Sequence, residues 1–171
     1  ERGRQRVHPE LHGDVVLEGG GTLAGPLRLE LERVLTVADR ANNAVLQERN
    51  GRWTVQGDPT EGALIVAARK AGLHGDALGR RFARVGEIPF SSARKLMSTV
   101  HTDAERSGQR FLFTKGAPDV LLTRCSHELV GDIPRPLSEA RRTHVLKAND
   151  DLAGHALRTL GIAYREMPAG D

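Results

Sequence analysis

Residues 83–101 read ARVGEIPFSSARKLMSTVH, and this stretch decides the fold that the sequence predicts. Residues 83–90 and 95–101 each have the pattern of a β-strand, and Ser91-Ser92-Ala93 lies between them. Because so short a connection joins antiparallel neighbours and not parallel ones, the two strands are predicted to pair antiparallel.

A second antiparallel pair is predicted earlier in the chain. Residues 44–47 and 53–56 flank Asn50-Gly51, a dipeptide typical of two-residue hairpin turns. Phe111 and Phe113 alternate with other residues on a further strand.

Helical patterns separate these groups of strands. From Pro26, apolar residues recur at three- and four-residue spacing. Asp58 is suited to cap a second helix, with Glu61 completing a capping box. Residues 63–68 of that helix are apolar on every face, which predicts burial.

The last third of the chain continues this alternation. A short helix is predicted from Ala117-Pro118, a proline-rich surface loop over residues 131–137, and a long helix capped by Ser138. A strand with Ile162 and Tyr164 on one face follows. The predicted fold class is therefore α+β, with an antiparallel β-sheet flanked by helices.

Length and composition predict one globular domain over residues 1–171. The chain has 39% hydrophobic and 27% charged residues, a formal net charge of +3 and one cysteine, Cys125, which excludes an internal disulfide. No apolar stretch is long enough to span a bilayer. Residues 1–13 are polar and are expected to form a frayed end or a weak edge strand. Basic residues alternate with acidic ones and aromatic residues make up 4%, so nucleic-acid binding is not favoured.

Several common catalytic motifs are missing from the sequence. It contains no Walker loop, no G-x-G-x-x-G after a strand, no G-x-S-x-G and no C-x-x-C. His8 and His12 are four residues apart, but no third ligand lies near them, so no metal site is predicted. No general base is paired with a nucleophile, and no catalytic residue is predicted.

Four segments carry the functional signal instead. They are DPTEGAL (58–64), PFSSARKLMST (89–99), TKGAPDV (114–120) and LRTL (157–160). In this order they resemble the nucleotide-binding (N) domain of P-type cation-transporting ATPases. The likeness is greatest to the type II branch, which includes calcium pumps, and it extends from about Pro26 to Glu166.

The residue types in these segments suit a nucleotide on physical grounds as well. Lys95 and Lys115 are two of only four lysines, and a lysine ammonium is a compact charge for a phosphate or a ring edge. Phe90 offers a stacking face, Glu61 an acceptor for an exocyclic amine, and Arg158 a forked donor for phosphate.

The resemblance implies the same roles. It implies that Phe90 stacks on adenine, that Lys115 with Gly116 forms the pocket floor, and that Glu61, with Thr60 beside it, lies near the adenine amine. The small residues Gly116 and Ala117 would let a flat ligand approach the backbone. By the same resemblance Lys95 and Met97 line the pocket towards the phosphates, and Arg158 contacts them. Each of these residues also has an alternative, purely structural role. Glu61 could complete the capping box, Phe90 and Met97 could belong to the core, Lys115 could be a solvated strand residue, and Arg158 could be a charge at a helix end.

The resemblance also implies a place in a larger protein. The domain would be inserted in a phosphorylation domain and would present ATP, with its Mg²⁺, to an aspartate there. Its partners would be the phosphorylation, actuator and transmembrane domains of the same pump, on the cytoplasmic side of the cell membrane. The isolated chain is expected to be an inactive monomer in which Phe90→Ala and Lys115→Ala abolish ATP binding without unfolding it. A nucleotide- or anion-binding module unrelated to transport, and an interaction protein without a cleft, remain as alternatives.

Overall fold

The structure is a computed structural model that describes residues 15–17 and 19–168. The predictions made for residues 1–13, including His8 and His12, lie outside this range. The elements are α1 (Gly25–Arg40), β1 (Val45–Arg49), β2 (Arg52–Gln56), α2 (Pro59–Lys70), α3 (Gly75–Arg81), β3 (Phe82–Ile88), β4 (Leu96–Asp103), a 3-10 turn (Ala104–Arg106), β5 (Gln109–Gly116), α4 (Pro118–Leu122), β6 (His127–Val130), β7 (Ile133–Pro136), α5 (Glu139–Gly154) and β8 (Gly161–Glu166).

A four-stranded antiparallel sheet, in the order β3-β4-β5-β8, forms the centre of the molecule. Two antiparallel hairpins, β1-β2 and β6-β7, accompany it. The α+β class and the antiparallel sheet flanked by helices are therefore confirmed. Among the described residues, no helix combines the length and the apolar character needed to cross a membrane.

The main core joins helix α1 to one face of this sheet. Val37 of α1 and Ala41, which follows the helix as its C-cap, are buried with three phenylalanines, and Ile162 packs against the cluster from β8; the phenylalanines are Phe82, Phe111 and Phe113. Phe82 meets Phe113 edge to face, with ring centroids 5.3 Å apart, a favourable aromatic geometry. The alternation of Phe111 and Phe113 predicted from the sequence is what puts both rings on this face.

Two elements differ from the prediction. The proline-rich segment 131–137 is not a plain loop, because Ile133–Pro136 pairs with His127–Val130 as a hairpin. Prolines are tolerated there since a two-stranded ribbon leaves half of its backbone N–H groups without a ladder partner. Helix α3 was not predicted either, because two of its seven residues are glycines, which have a low helix propensity.

Candidate functional site

Lys115 and Glu61, two predicted site residues, meet at one end of the central sheet. The Lys115 Nζ atom donates to Glu61 Oε1 at 2.6 Å, although the two residues are 54 positions apart in the chain. The two side chains are only 8% and 17% exposed. Burial of this extent disfavours an isolated charge, so each group depends on the other.

The start of helix α2 places Glu61 there. Asp58 caps the helix as predicted, because its Oδ1 atom accepts from the backbone N–H groups of Thr60 at 2.8 Å and Glu61 at 3.1 Å. The predicted reciprocal bond of a capping box is wrong. The Glu61 carboxylate accepts instead from Lys115 Nζ and, through Oε2, from the Asn43 backbone N–H at 3.1 Å. An ammonium is a stronger donor to a carboxylate than a neutral N–H, which explains the exchange.

A polar network extends from Glu61 to strand β3. The Asn43 side-chain amide donates to Glu87 Oε1 at 2.8 Å, and its carbonyl oxygen accepts from Arg84 Nη1 at 2.8 Å. Arg84 and Glu87 are themselves paired at 2.7 Å. Sequence reasoning missed Asn43, because nothing in its spacing distinguishes it from any asparagine that follows a helix.

Phe90 and Lys95 lie in the connection between β3 and β4, at the same end of the sheet as Lys115. The register gives this directly, since Ile88 pairs with Ser98 and Met97 with Lys115. Phe90 is 60% exposed, so its ring is not part of the core. Lys95 is exposed and has a positive φ of 55°.

Met97 has a different setting from these residues. It is 2% exposed and ranks among the largest fully buried side chains. Its neighbour across the strand pair is Lys115. In the structure Met97 is a buried residue near the end of strand β4, and its contact with a ligand remains a prediction.

Gly116 and Ala117 bring strand β5 against the connection that carries Lys95. The Ala117 backbone N–H donates to the Lys95 carbonyl oxygen at 3.0 Å. A Cβ atom added at Gly116 would lie 2.2 Å from that same oxygen. The missing side chain is thus required for the close approach of the two segments.

Arg158 is exposed and lies between α5 and β8. It precedes Gly161, the partner of Gly116 across the β5-β8 pair, by three residues. Arg158 therefore lies in the segment that leads into this end of the sheet, and its contact with a phosphate stays a prediction.

A cavity of about 530 Å³ lies beside this cluster. None of the nine predicted site residues lines it, but Asn42 and Arg84 do. His101 on its wall is buried, and burial together with the charges of Arg40 and Arg84 lowers the pKa of this imidazole from 6.5 to about 4. Among residues 15–17 and 19–168 no group of three His, Cys, Asp or Glu side chains has the arrangement of a metal site.

Comparison with known proteins decides the family. A family model described as P-type ATPase, cytoplasmic domain N, matches residues 30–171. This chain belongs to that family. The N domain is 37% identical over 141 residues to a calcium-transporting ATPase of Bacillus subtilis, which covers 82% of this chain and 16% of that protein.

Two further relatives give the same result for this N domain. A calcium-transporting ATPase of Listeria monocytogenes is 41% identical over 137 residues, which is 80% of this chain and 15% of that protein. A probable cation-transporting ATPase F of Mycobacterium bovis is 39% identical over 121 residues, 70% of this chain and 13% of its own length. The chain therefore spans about one sixth or less of the relatives that it matches.

Proposed function

We propose that this N domain holds ATP by its adenine end and presents the phosphates to a neighbouring domain. The observation that carries the proposal is the buried Lys115–Glu61 pair, at the sheet end that also carries the exposed Phe90 ring. A fixed acceptor, a fixed ammonium and a free aromatic face are the groups that a purine with an exocyclic amine requires.

The adenine would stack on Phe90. Its ring is 60% exposed, and a base that covers it gains stacking and apolar burial together. Glu61, with Thr60 beside it on the first turn of α2, would accept from the adenine amine. Lys115, Gly116 and Ala117 would form the floor.

The phosphates would lie towards Lys95 and Arg158, which are both exposed cations near this end of the sheet. Met97 would line the part of the pocket that lies towards the phosphates. Mg²⁺ would arrive with the nucleotide and would be held mainly by the domain that receives the phosphate. A domain without a nucleophile contributes by positioning, which supplies most of phosphoryl-transfer catalysis together with electrostatics.

We infer that the full-length protein is an ATP-driven cation pump and that calcium is its cation, since relatives carry that name. This domain would be an insertion within the phosphorylation domain, on the cytoplasmic side of the membrane. Its partners would be the phosphorylation, actuator and transmembrane domains, and the isolated domain would be a monomer.

Titration of the 171-residue chain with ATP tests the site. One stack and a few hydrogen bonds, less the entropy of association, give an expected Kd on the order of 0.1–1 mM. Phe90→Ala should weaken binding about tenfold, because base stacking is worth roughly 1–3 kcal/mol, and should leave the thermal midpoint unchanged.

Ile133→Ala is the matched control, since Ile133 is 62% exposed on the β6-β7 hairpin. It should bind ATP as the unmodified chain does. Equal affinities in Phe90→Ala and Ile133→Ala would refute the stacking role. Phosphate release from ATP by the chain alone should stay at the buffer background, and turnover above it would contradict a purely positional role.

A further inference from the structure

Asn43 lies outside the predicted nucleotide residues, yet it touches one of them directly. Its backbone N–H is the donor to Glu61 Oε2, while Lys115 Nζ donates to Glu61 Oε1. The carboxylate is therefore held at both oxygens, by strand β5 and by the connection between α1 and β1. Two fixed donors set the plane of the carboxylate and leave its remaining lone pairs for a ligand.

The side chain of Asn43 is held in turn by strand β3. Its amide nitrogen donates to Glu87 and its amide oxygen accepts from Arg84, both at 2.8 Å, and Arg84 and Glu87 close the ring of contacts at 2.7 Å. Asn43 is exposed, so an unrestrained asparagine here would sample several rotamers. Three linked contacts instead fix the residue whose N–H meets Glu61.

We propose that Asn43 is a positioning residue that sets the base selectivity of the nucleotide site. This inference rests on the proposed function of that site. A carboxylate discriminates a purine that carries a 6-amino group from one that carries a 6-oxo group, because the amine donates to it and the oxo group repels it. The discrimination is sharp only when the carboxylate has one orientation, since a free carboxylate turns away from the oxo group at little cost.

The neighbouring Asn42 has a different part. Its side-chain amide donates to the carbonyl oxygens of Ala38 and Glu61, and its Oδ1 atom accepts from the Ala44 N–H. Asn42 is 8% exposed, so these bonds tie backbone to backbone within the fold. Selectivity is thus assigned to Asn43, the asparagine that reaches the Glu61 carboxylate.

The test compares the Kd of ATP with that of inosine triphosphate, which has the 6-oxo group. Asn43→Ala keeps the backbone N–H that meets Glu61 but loses the side-chain contacts that position it. ATP should therefore bind about fivefold more weakly, the size expected when one hydrogen bond from the adenine amine to Glu61 is poorly oriented. The Kd of inosine triphosphate should change by less than about twofold, so the selectivity, which is this Kd divided by that of ATP, falls. Gln47→Ala is the control, because it deletes an amide that bonds only to Gln56 among the contacts that the structure describes. Both of its dissociation constants should match those of the unmodified chain.

A pair of variants tests the route through strand β3. Asn43→Asp places a second carboxylate against Glu87 and should reduce the selectivity for ATP. Adding Glu87→Gln restores a donor–acceptor pair with the roles exchanged, and it keeps a carboxylate for Arg84. The double variant should recover at least half of the lost selectivity, which a merely structural role for Asn43 would not produce.

The outcomes separate this inference from the proposed function. If Glu61→Gln and Phe90→Ala weaken ATP binding but Asn43→Ala does not, the inference is overturned and the nucleotide site stands. An equal loss of ATP and inosine triphosphate in Asn43→Ala also overturns it, because that result means general loosening. If the unmodified chain fails to bind ATP, or if Glu61→Gln has no effect, the proposed function itself is overturned.

Discussion

Lys115 has little contact with water, and the Glu61 carboxylate lies 2.6 Å from its ammonium group. Removal of one partner from such a pair leaves the other poorly solvated and unpaired, which costs more than the pair itself contributes. The structure therefore changes the effect expected for substitutions at Lys115, because binding and stability are linked at this residue.

We expect Lys115→Met to lower the free energy of unfolding by about 1–3 kcal/mol in urea denaturation. The double variant Lys115→Met/Glu61→Gln should recover most of this loss, since no charge is then left unpaired. Lys147→Met removes an exposed lysine of helix α5 and should stay within about 0.5 kcal/mol of the unmodified chain. Equal stabilities of Lys115→Met and Lys147→Met would rule out the buried pair.

The types of these residues were predictable from the sequence, but their contacts were not. Glu61, Phe90 and Lys115 stand out because a carboxylate, an aromatic ring and a rare lysine each lie within a distinctive local segment. Glu61 was equally suited to cap its own helix, and only the fold brings Lys115 close enough to exclude that arrangement. Asn43 was missed because its function depends entirely on contacts with α2 and β3.

At the scale of elements, the end of strand β5 is fitted to the connection before β4. The fit depends on Gly116, whose added Cβ atom would lie 2.2 Å from the Lys95 carbonyl oxygen and 2.9 Å from Leu96 Cα. Both of these are backbone atoms, so they cannot move aside as a flexible side chain would.

Gly116→Ala should therefore destabilise the chain by about 1–3 kcal/mol, the usual cost of overpacking. It should also weaken ATP binding, because the connection that carries Lys95 must shift. Gly154→Ala is the matched control, since an added Cβ there would meet no atom within 4 Å other than those of its chain neighbours and its own helix backbone. Urea denaturation of both variants checks this, and a Gly116→Ala midpoint as high as that of Gly154→Ala would disprove the close fit.

Elements with strong local signals were predicted, and elements that depend on tertiary contacts were not. Asn50-Gly51 identified the β1-β2 hairpin, and Pro26 the start of α1. The β6-β7 hairpin is stabilised from outside, because its turn packs on α1: the Gly131 N–H donates to Glu30, and Asp132 accepts from Arg33 at 2.6 Å. Proline content alone indicated a loop, since such contacts leave no local pattern.

At the scale of the whole molecule, the buried His101 links stability to pH. Its Nδ1 atom lies 3.2 Å from the Phe82 carbonyl oxygen and its Nε2 atom 2.9 Å from Thr99 Oγ1. A neutral ring with the proton on Nδ1 satisfies both partners. The folded state therefore holds the pKa near 4, whereas the unfolded chain has an imidazole pKa of about 6.5.

As the pH falls from 6.5 to 4, the unfolded state binds a proton at this ring that the folded state does not. The stability due to neutral His101 is thus complete above pH 6.5 and is lost on acidification, by roughly 3 kcal/mol in total. In urea denaturation, the free energy of unfolding of the unmodified chain should fall between pH 7 and pH 4 by about that amount more than the free energy of unfolding of His101→Gln does. His144→Gln, at an exposed histidine of α5, should retain the slope of the unmodified chain. Identical slopes in the two variants would contradict the burial effect.

The class of the fold was predictable because helix and strand periods alternate clearly along the chain, whereas the sheet order was not. Nothing in residues 161–166 indicates that they pair with β5 and not with β3. That choice is made by the core, where Ile162 packs against the cluster of Val37, Phe111 and Phe113. The pairing of β8 with β5 therefore depends on contacts among α1, β5 and β8, which no single segment of the sequence shows.

This late partner for β5 has a consequence during protein synthesis. Strands β3, β4 and β5 join their neighbours in the order in which a ribosome makes them, but Gly116 must wait for Gly161 before its outer side is covered. At about 5–20 residues per second, translation of the intervening segment takes roughly 2–9 seconds. For that interval the nascent chain carries an open strand, so slow codons between these positions would prolong its exposure to chaperones and to other nascent chains.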